Sequence, residues 1–250
     1  MARKQSLLNL AAISATLSLE LLTLPLLPTK VQAHSSGGTL LSQAFEAPNQ
    51  KAPPTTAGAG VRGTACVSGK LPLTALMPAQ AMPLTVTESP TLFWYVPEST
   101  AQEAKLVLMD EARKQVLYQT TLPLPKQPGI ASFTLPTTTA LKVGQPYYWS
   151  LVLVCDPEDS GANPIAEGWI ERTEPSQTLA TQLQKVSDRG RPAAYASAGI
   201  WYEALKSLVD LRRQSPNDAT LAADWEKLLT SVGLGPLVQQ PLVDCCQAKN

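Results

Sequence analysis

The sequence predicts an α+β fold: an immunoglobulin-like antiparallel β-sandwich over residues 64–175, followed by a small helical domain over 176–235. Three observations carry this expectation. In Pro146–Pro157 (PYYWSLVLVCDP) a period of two places Tyr147, Trp149, Leu151, Leu153 and Cys155 on one face and Tyr148, Ser150, Val152 and Val154 on the other. This is the pattern of a central strand covering a core on one side. Around it, short β-type runs recur at the density of a sandwich, about seven strands in roughly 110 residues. After Pro175 the period changes, and apolar residues repeat at helical spacing.

The first 33 residues read as a signal peptide. Arg3 and Lys4 form a basic start, Leu7–Leu27 is largely apolar, and Val31-Gln32-Ala33 predicts cleavage between Ala33 and His34. An uncleaved anchor is the alternative, against which Glu20 inside the apolar run counts. The mature chain is expected in the periplasm or secreted, without a membrane span. Residues 34–63, rich in Ser, Gly, Thr, Ala and Pro with few bulky groups, read as a flexible linker. Gly58-Ala59-Gly60-Val61-Arg62-Gly63 matches a dinucleotide-binding pattern, but neither the strand before it nor the helix after it is present.

Strands are predicted at 65–67, 73–77, 84–87, 91–96, 104–109, 116–122, 129–135, from Tyr147 onward, and at 167–173. Residues 104–122 form a hairpin through Asp110–Lys114. Cys66 and Cys155, one near each end of this region, are expected to form a disulfide in an exported protein; two buried thiols are the alternative. Four helices follow: one capped by Ser176, one from Pro192 to Gly199, one bearing Trp201, Ala204, Leu205, Leu208 and Leu211, and one capped by Asn217 or Asp218. Tyr195, Gly199, Trp201, Ala204 and Pro216 stand at the spacing of one tetratricopeptide unit, too few to build a groove by stacking. Residues 236–250 read as an idle tail. Its adjacent Cys245 and Cys246 are awkward partners for each other, and a disulfide to another chain is the alternative to an idle tail.

Composition narrows the chemistry. Twenty Lys plus Arg balance twenty Asp plus Glu, so there is no field to attract nucleic acid. His34 is the only histidine and falls in the linker, which deprives the folded body of Ser-His, Cys-His and His-rich zinc chemistry. Asp156, Glu158 and Asp159 could hold Ca²⁺ in the loop after the central strand, although the spacing is not that of an EF-hand and a solvated acidic turn is the competing reading. Glu167 and Glu171 lie too far apart along a strand for a close acid/base pair. Tyr95, Tyr148 and Trp169 would stack on sugars if exposed on one flat face, and would be core if buried. Trp201 is a further candidate partner contact. No cofactor is expected.

Pro90–Pro97 (PTLFWYVP), Val154–Pro157 (VCDP), Glu167–Arg172 (EGWIER) and Gly199–Leu205 (GIWYEAL) are long specific blocks. With Asp224-Trp225 and Ser231–Leu234 they resemble, from about Cys66 to Leu234, the cyanobacterial domain-of-unknown-function family 928. Many relatives carry more Arg and Gly ahead of the first Cys. The resemblance implies an exported protein without an assigned activity, and supplies no catalytic residue. The expected function is a non-catalytic envelope interaction or scaffold module, with another envelope protein as partner. A carbohydrate-binding module is the alternative, and a hydrolase built on Asp156, Glu158 or Glu171 comes third.

Overall fold

The computed structural model describes residues 44–48 and 66–246. The signal peptide with its Ala33–His34 cleavage site, the glycine pattern at 58–63 and most of the linker lie outside the described residues.

The chain forms ten strands and four α-helices: β1 (Val67–Ser68), β2 (Thr74–Ala75), β3 (Leu84–Thr85), β4 (Thr91–Val96), β5 (Glu98–Ser99), β6 (Glu103–Asp110), β7 (Val116–Pro123), β8 (Gly129–Thr134), β9 (Pro146–Leu153), β10 (Ile165–Arg172), α1 (Gln177–Lys185), α2 (Arg191–Ser197), α3 (Trp201–Gln214) and α4 (Ala219–Ser231). The fold class is therefore α+β. A five-stranded sheet has the order β3-β10-β9-β6-β7, a three-stranded sheet the order β2-β4-β8, and β1 pairs with β5. Strand β9 is internal, as its sequence demands. Tyr147, Trp149, Leu151 and Leu153 enter the main core, while Tyr148 on the opposite face joins a second cluster with Trp169, Leu179 and Ile200. Strand pairing is antiparallel except between β10 and β3, which run parallel.

That parallel pair is a departure from the all-antiparallel expectation. A two-residue strand such as β3 carries little pattern of its own. It is positioned from outside by Glu203 of α3, whose carboxylate accepts from Thr85 Oγ1 at 2.6 Å and Val86 N at 3.2 Å. Burial pushes the Glu203 carboxyl above its ordinary range, and the hydrogen bonds from Thr85 and Val86 pull it back. The sequence reading missed Glu203 because a lone carboxylate between Tyr202 and Ala204 looks like a solvent-facing helix position.

The helices obey local rules. Ser176 Oγ accepts from Leu179 N at 3.1 Å and caps α1. Asp218 accepts from Thr220 N and Leu221 N and caps α4, and Gly233 just beyond it has φ +83°. The helices share the core of the sheets: Trp201, Tyr202, Leu205, Trp225 and Leu228 belong to one cluster with Leu92, Trp94, Leu106 and Leu151. Trp201 Nε1 donates to Leu76 O at 2.8 Å, and Trp149 Nε1 to Tyr202 Oη at 3.2 Å. The change of period at Pro175 thus marks a change of secondary structure, and residues on both sides of it contribute to the same clusters.

The tail is not idle. Ile130 N donates to Pro241 O at 2.7 Å and Val243 N to Ile130 O at 2.9 Å, so the tail pairs along the outer edge of β8. Covering an edge in this way satisfies its unpaired backbone groups. Cys245 and Cys246 are disulfide-bonded to each other, with Cα atoms 3.7 Å apart, against the expectation that neighbouring cysteines are poor partners for each other.

Asp224 on α4 is buried at 6% exposure. Burial pushes its carboxyl up to about 6, a nearby Asp218 adds to the rise, and Lys227 and Arg189 oppose it. Because the folded value exceeds the usual 3.8, the native state holds more protons than the unfolded state between these two pH values. Stability therefore falls as pH rises through this window, and the loss is complete above it. We expect Asp224→Asn to raise stability at pH 7 by about 1–2 kcal/mol, discounted for solvent screening, and to flatten that slope. Urea melts at pH 4, 5, 6 and 7 check this; a variant with an unchanged slope contradicts it.

Candidate functional site: a peptide-holding groove

Cys66 and Cys155 are bonded, with Cα atoms 5.5 Å apart, and join the start of β1 to the loop after β9. Asp156, Glu158 and Asp159 lie in that loop, exposed. Asp156 Oδ1 accepts from Glu158 N at 2.8 Å and Asp159 N at 3.2 Å, and Asp159 Oδ1 accepts from Gly161 N at 2.9 Å. Asn163 completes the turn by accepting from Cys155 N and Asp156 N and donating to Asp156 O. Asp156 and Asp159 each direct an oxygen to the backbone of their own loop, and among the described residues no trio of His, Cys, Asp or Glu is arranged to hold a cation. Glu171 is raised by burial and by Glu111, and lies four residues from Glu167, roughly 13 Å along an extended strand.

The aromatic candidates are interior. Tyr95, Tyr148, Trp169 and Trp201 are all buried. Tyr148 and Trp169 meet edge to face at 5.6 Å, and the Arg113 guanidinium lies 3.9 Å from the centre of the Tyr148 ring, covering it. The Tyr148 hydroxyl donates to Glu167 Oε1, and burial followed by that carboxylate keeps the phenol neutral far above its usual range. No flat aromatic face is left open by these four rings, so they act in packing.

What the structure does bring together is a groove. Its walls are Thr74 and Ala75 of β2, the loop Met77–Ala81, Glu167 of β10, and Ser231–Leu234 at the end of α4. Its volume is about 520 Å³. One end is occupied by residues 44–48, a piece of chain in neither helix nor strand, of which only Phe45 is buried. The Phe45 ring meets Trp201 edge to face at 5.1 Å. Phe45 N donates to Ser231 Oγ at 3.2 Å, and Glu46 N to Ala196 O at 3.1 Å. Gly199, at φ +73° in the turn between α2 and α3, lies directly under this segment. A Cβ there would stand 3.0 Å from Glu46 O and 3.1 Å from Pro48 Cδ. The sequence reading assigned Phe45 to the flexible linker, because one aromatic in a polar run has no periodicity and its burial depends on Trp201, far away in the chain.

The fold and this groove define an α+β body whose larger hydrophobic cluster is shared by sheets and helices, with the chain's own residues 44–48 seated beside the groove through Phe45. The family model described as Domain of Unknown Function (DUF928) matches residues 57–242, and the chain belongs to that family. No curated protein and no solved structure matches it. Residues 44–48 precede the matched span, whereas Ser231, Trp201, Ala196 and Gly199, which hold them, lie inside it.

Proposed function

We propose that this protein is an exported, non-catalytic interaction module that binds a polypeptide of another envelope protein in the groove between β2, the 77–81 loop and the end of α4. The supporting observation is the segment 44–48 seated there, with a buried aromatic anchor against Trp201, Phe45 N donating to Ser231 of the groove and Glu46 N to Ala196 of α2 beside it. Peptide grooves recognise extended chains by this combination of main-chain hydrogen bonds and side-chain pockets. Export is supported by the Arg3-Lys4 and Leu7–Leu27 signal pattern together with the Cys66–Cys155 disulfide, a bond that persists in oxidising compartments. Among the described residues no helix is long and apolar enough to cross a membrane.

In finer detail, the five- and three-stranded sheets are read as an immunoglobulin-like sandwich and the helices as carrying a single tetratricopeptide-like hairpin. Support for the first comes from the shared core and from the stacking of Tyr118 of β7 on Phe133 of β8 at 6.2 Å. The carbohydrate-binding reading loses its platform through the burial of Tyr95, Tyr148 and Trp169.

Photocrosslinking tests the function. A benzoylphenylalanine at exposed Ala79 on the groove rim, in the full chain expressed in its native envelope, is expected to yield a discrete polypeptide adduct. The same probe at exposed Lys105 on β6 should not. Adducts identical from both positions, or with glycan alone, would overturn the proposal.

A further inference from the structure

We infer that the groove is a two-part receptor for an extended peptide bearing an aromatic residue and, two residues later, a Lys or Arg, and that the chain's own segment 44–48 occupies only the aromatic half. This rests on the interaction-module reading and names the partner's chemistry. The aromatic half is defined by Phe45 against Trp201, and by the hydrogen bonds from Phe45 N to Ser231 and Glu46 N to Ala196. The second half is the open volume itself. Ala47, two residues after the anchor, lines it and is exposed, so its methyl leaves most of the space unfilled. The other walls include Met77, Pro78, Val232 and Leu234 together with the polar Thr74, Gln80 and Ser231, and among the described lining residues Glu167 is the one that is ionisable.

A lining that sets the apolar Met77, Pro78, Val232 and Leu234 beside a carboxylate matches the apolar stem and charged head of Lys or Arg. The Tyr148 hydroxyl holds one oxygen of Glu167 in place. The chain's own segment meets the anchor requirement but offers Ala47 where the cation belongs, and follows Phe45 with an acidic Glu46. It is therefore a partial occupant, and a partner with the full pattern would displace it. Because segment 44–48 belongs to the same chain it competes intramolecularly, so an untethered peptide binds the intact chain more weakly than a chain whose anchor has been removed, about tenfold where the segment's local concentration exceeds its own dissociation constant by about that factor.

The probes are three fluorescein-labelled peptides read by anisotropy against the full chain carrying Phe45→Ala. The first has the sequence of residues 43–50, the second carries Lys at the Ala47 position, and the third carries Ala at the Phe45 position. The second is expected to bind about threefold to fivefold tighter than the first, as an exposed ion pair permits. The third should not bind, and Glu167→Gln should erase the difference between the first two. The unsubstituted chain should bind the second peptide about tenfold more weakly than Phe45→Ala. A second variant guards against misfolding of Phe45→Ala: Ala47→Lys in the intact chain should slow amide exchange at Phe45 and Glu46, and Glu167→Gln should reverse this. If a folded Phe45→Ala chain binds none of the peptides, or the lysine gains nothing in either format, the inference is overturned. A specific adduct from Ala79 would in that case leave the broader interaction function standing.

Discussion

Replacing Cys66 and Cys155 together by Ser is expected to cost about 4–5 kcal/mol of stability, the largest effect of any change considered for this chain. The bond closes a loop of 89 residues in sequence separation. On the chain-entropy account, releasing a loop of that length restores roughly this much free energy to the unfolded ensemble. In this fold the loop contains nearly all the strands, from β1 through β9, so most of the sheet loses its covalent closure. The melting temperature should fall by about 10–15 °C, at roughly 2–4 °C per kcal/mol for a chain of this size. The same fall should appear when the native protein is melted with a dithiol reductant, and the reductant should add little to the double variant. A double variant that melts within about 3 °C of the parent would show that the bond contributes far less than its loop length implies.

Gly168→Ala is expected to destabilise by about 3 kcal/mol despite adding one methyl group, at the upper end of what overpacking costs. Gly168 of β10 lies opposite Trp149 of β9, and the indole lies over the glycine. A Cβ there would stand 2.4 Å from Trp149 Cε2 and 2.6 Å from its Nε1. The ring has nowhere to go: Trp149 is 1% exposed, and its Nε1 donates to Tyr202 Oη, which donates to Trp169 O at 2.7 Å. Moving the indole breaks this relay between β9, α3 and β10, and each buried polar group left unpaired carries its own desolvation cost. Circular dichroism melts should show a fall of roughly 6–12 °C. Trp149→Leu in the same chain should relieve part of the Gly168→Ala penalty, because the atoms that clash are gone. If the two changes simply add, the clash is not the cause.

Local regularities in the sequence proved dependable where they were long. Thr91–Val96 begins and ends where its run of β-formers does, and the alternation in Pro146–Leu153 places Tyr147, Trp149, Leu151 and Leu153 in one cluster and Tyr148 in the other, as observed. Ser176 and Asp218 cap the helices they precede because a cap is a contact within one turn. Short elements escaped: β5 was not predicted, and β3 turned out parallel to β10, since two residues carry no period and take their partner from the surroundings. The tail and Phe45 were missed for the same reason. The contacts that order them, at Ile130, Ser231 and Trp201, lie far away in the chain.

What the amino-acid order determined by itself is everything governed by neighbours within a few positions: the strand and helix periods, the caps, and the shortage of histidine that confines the available chemistry. Membership in the family was also legible, from blocks such as Glu167–Arg172 and Gly199–Leu205. Tertiary structure alone decided that Tyr148 and Trp169 are packed beneath Arg113, that Glu203 anchors β3, and that a groove forms beside Ser231 and Gly199 and grips Phe45. The physical reason is that a groove is a property of the spacing between elements, set by side-chain volumes and hydrogen bonds that meet only after the chain has folded back on itself.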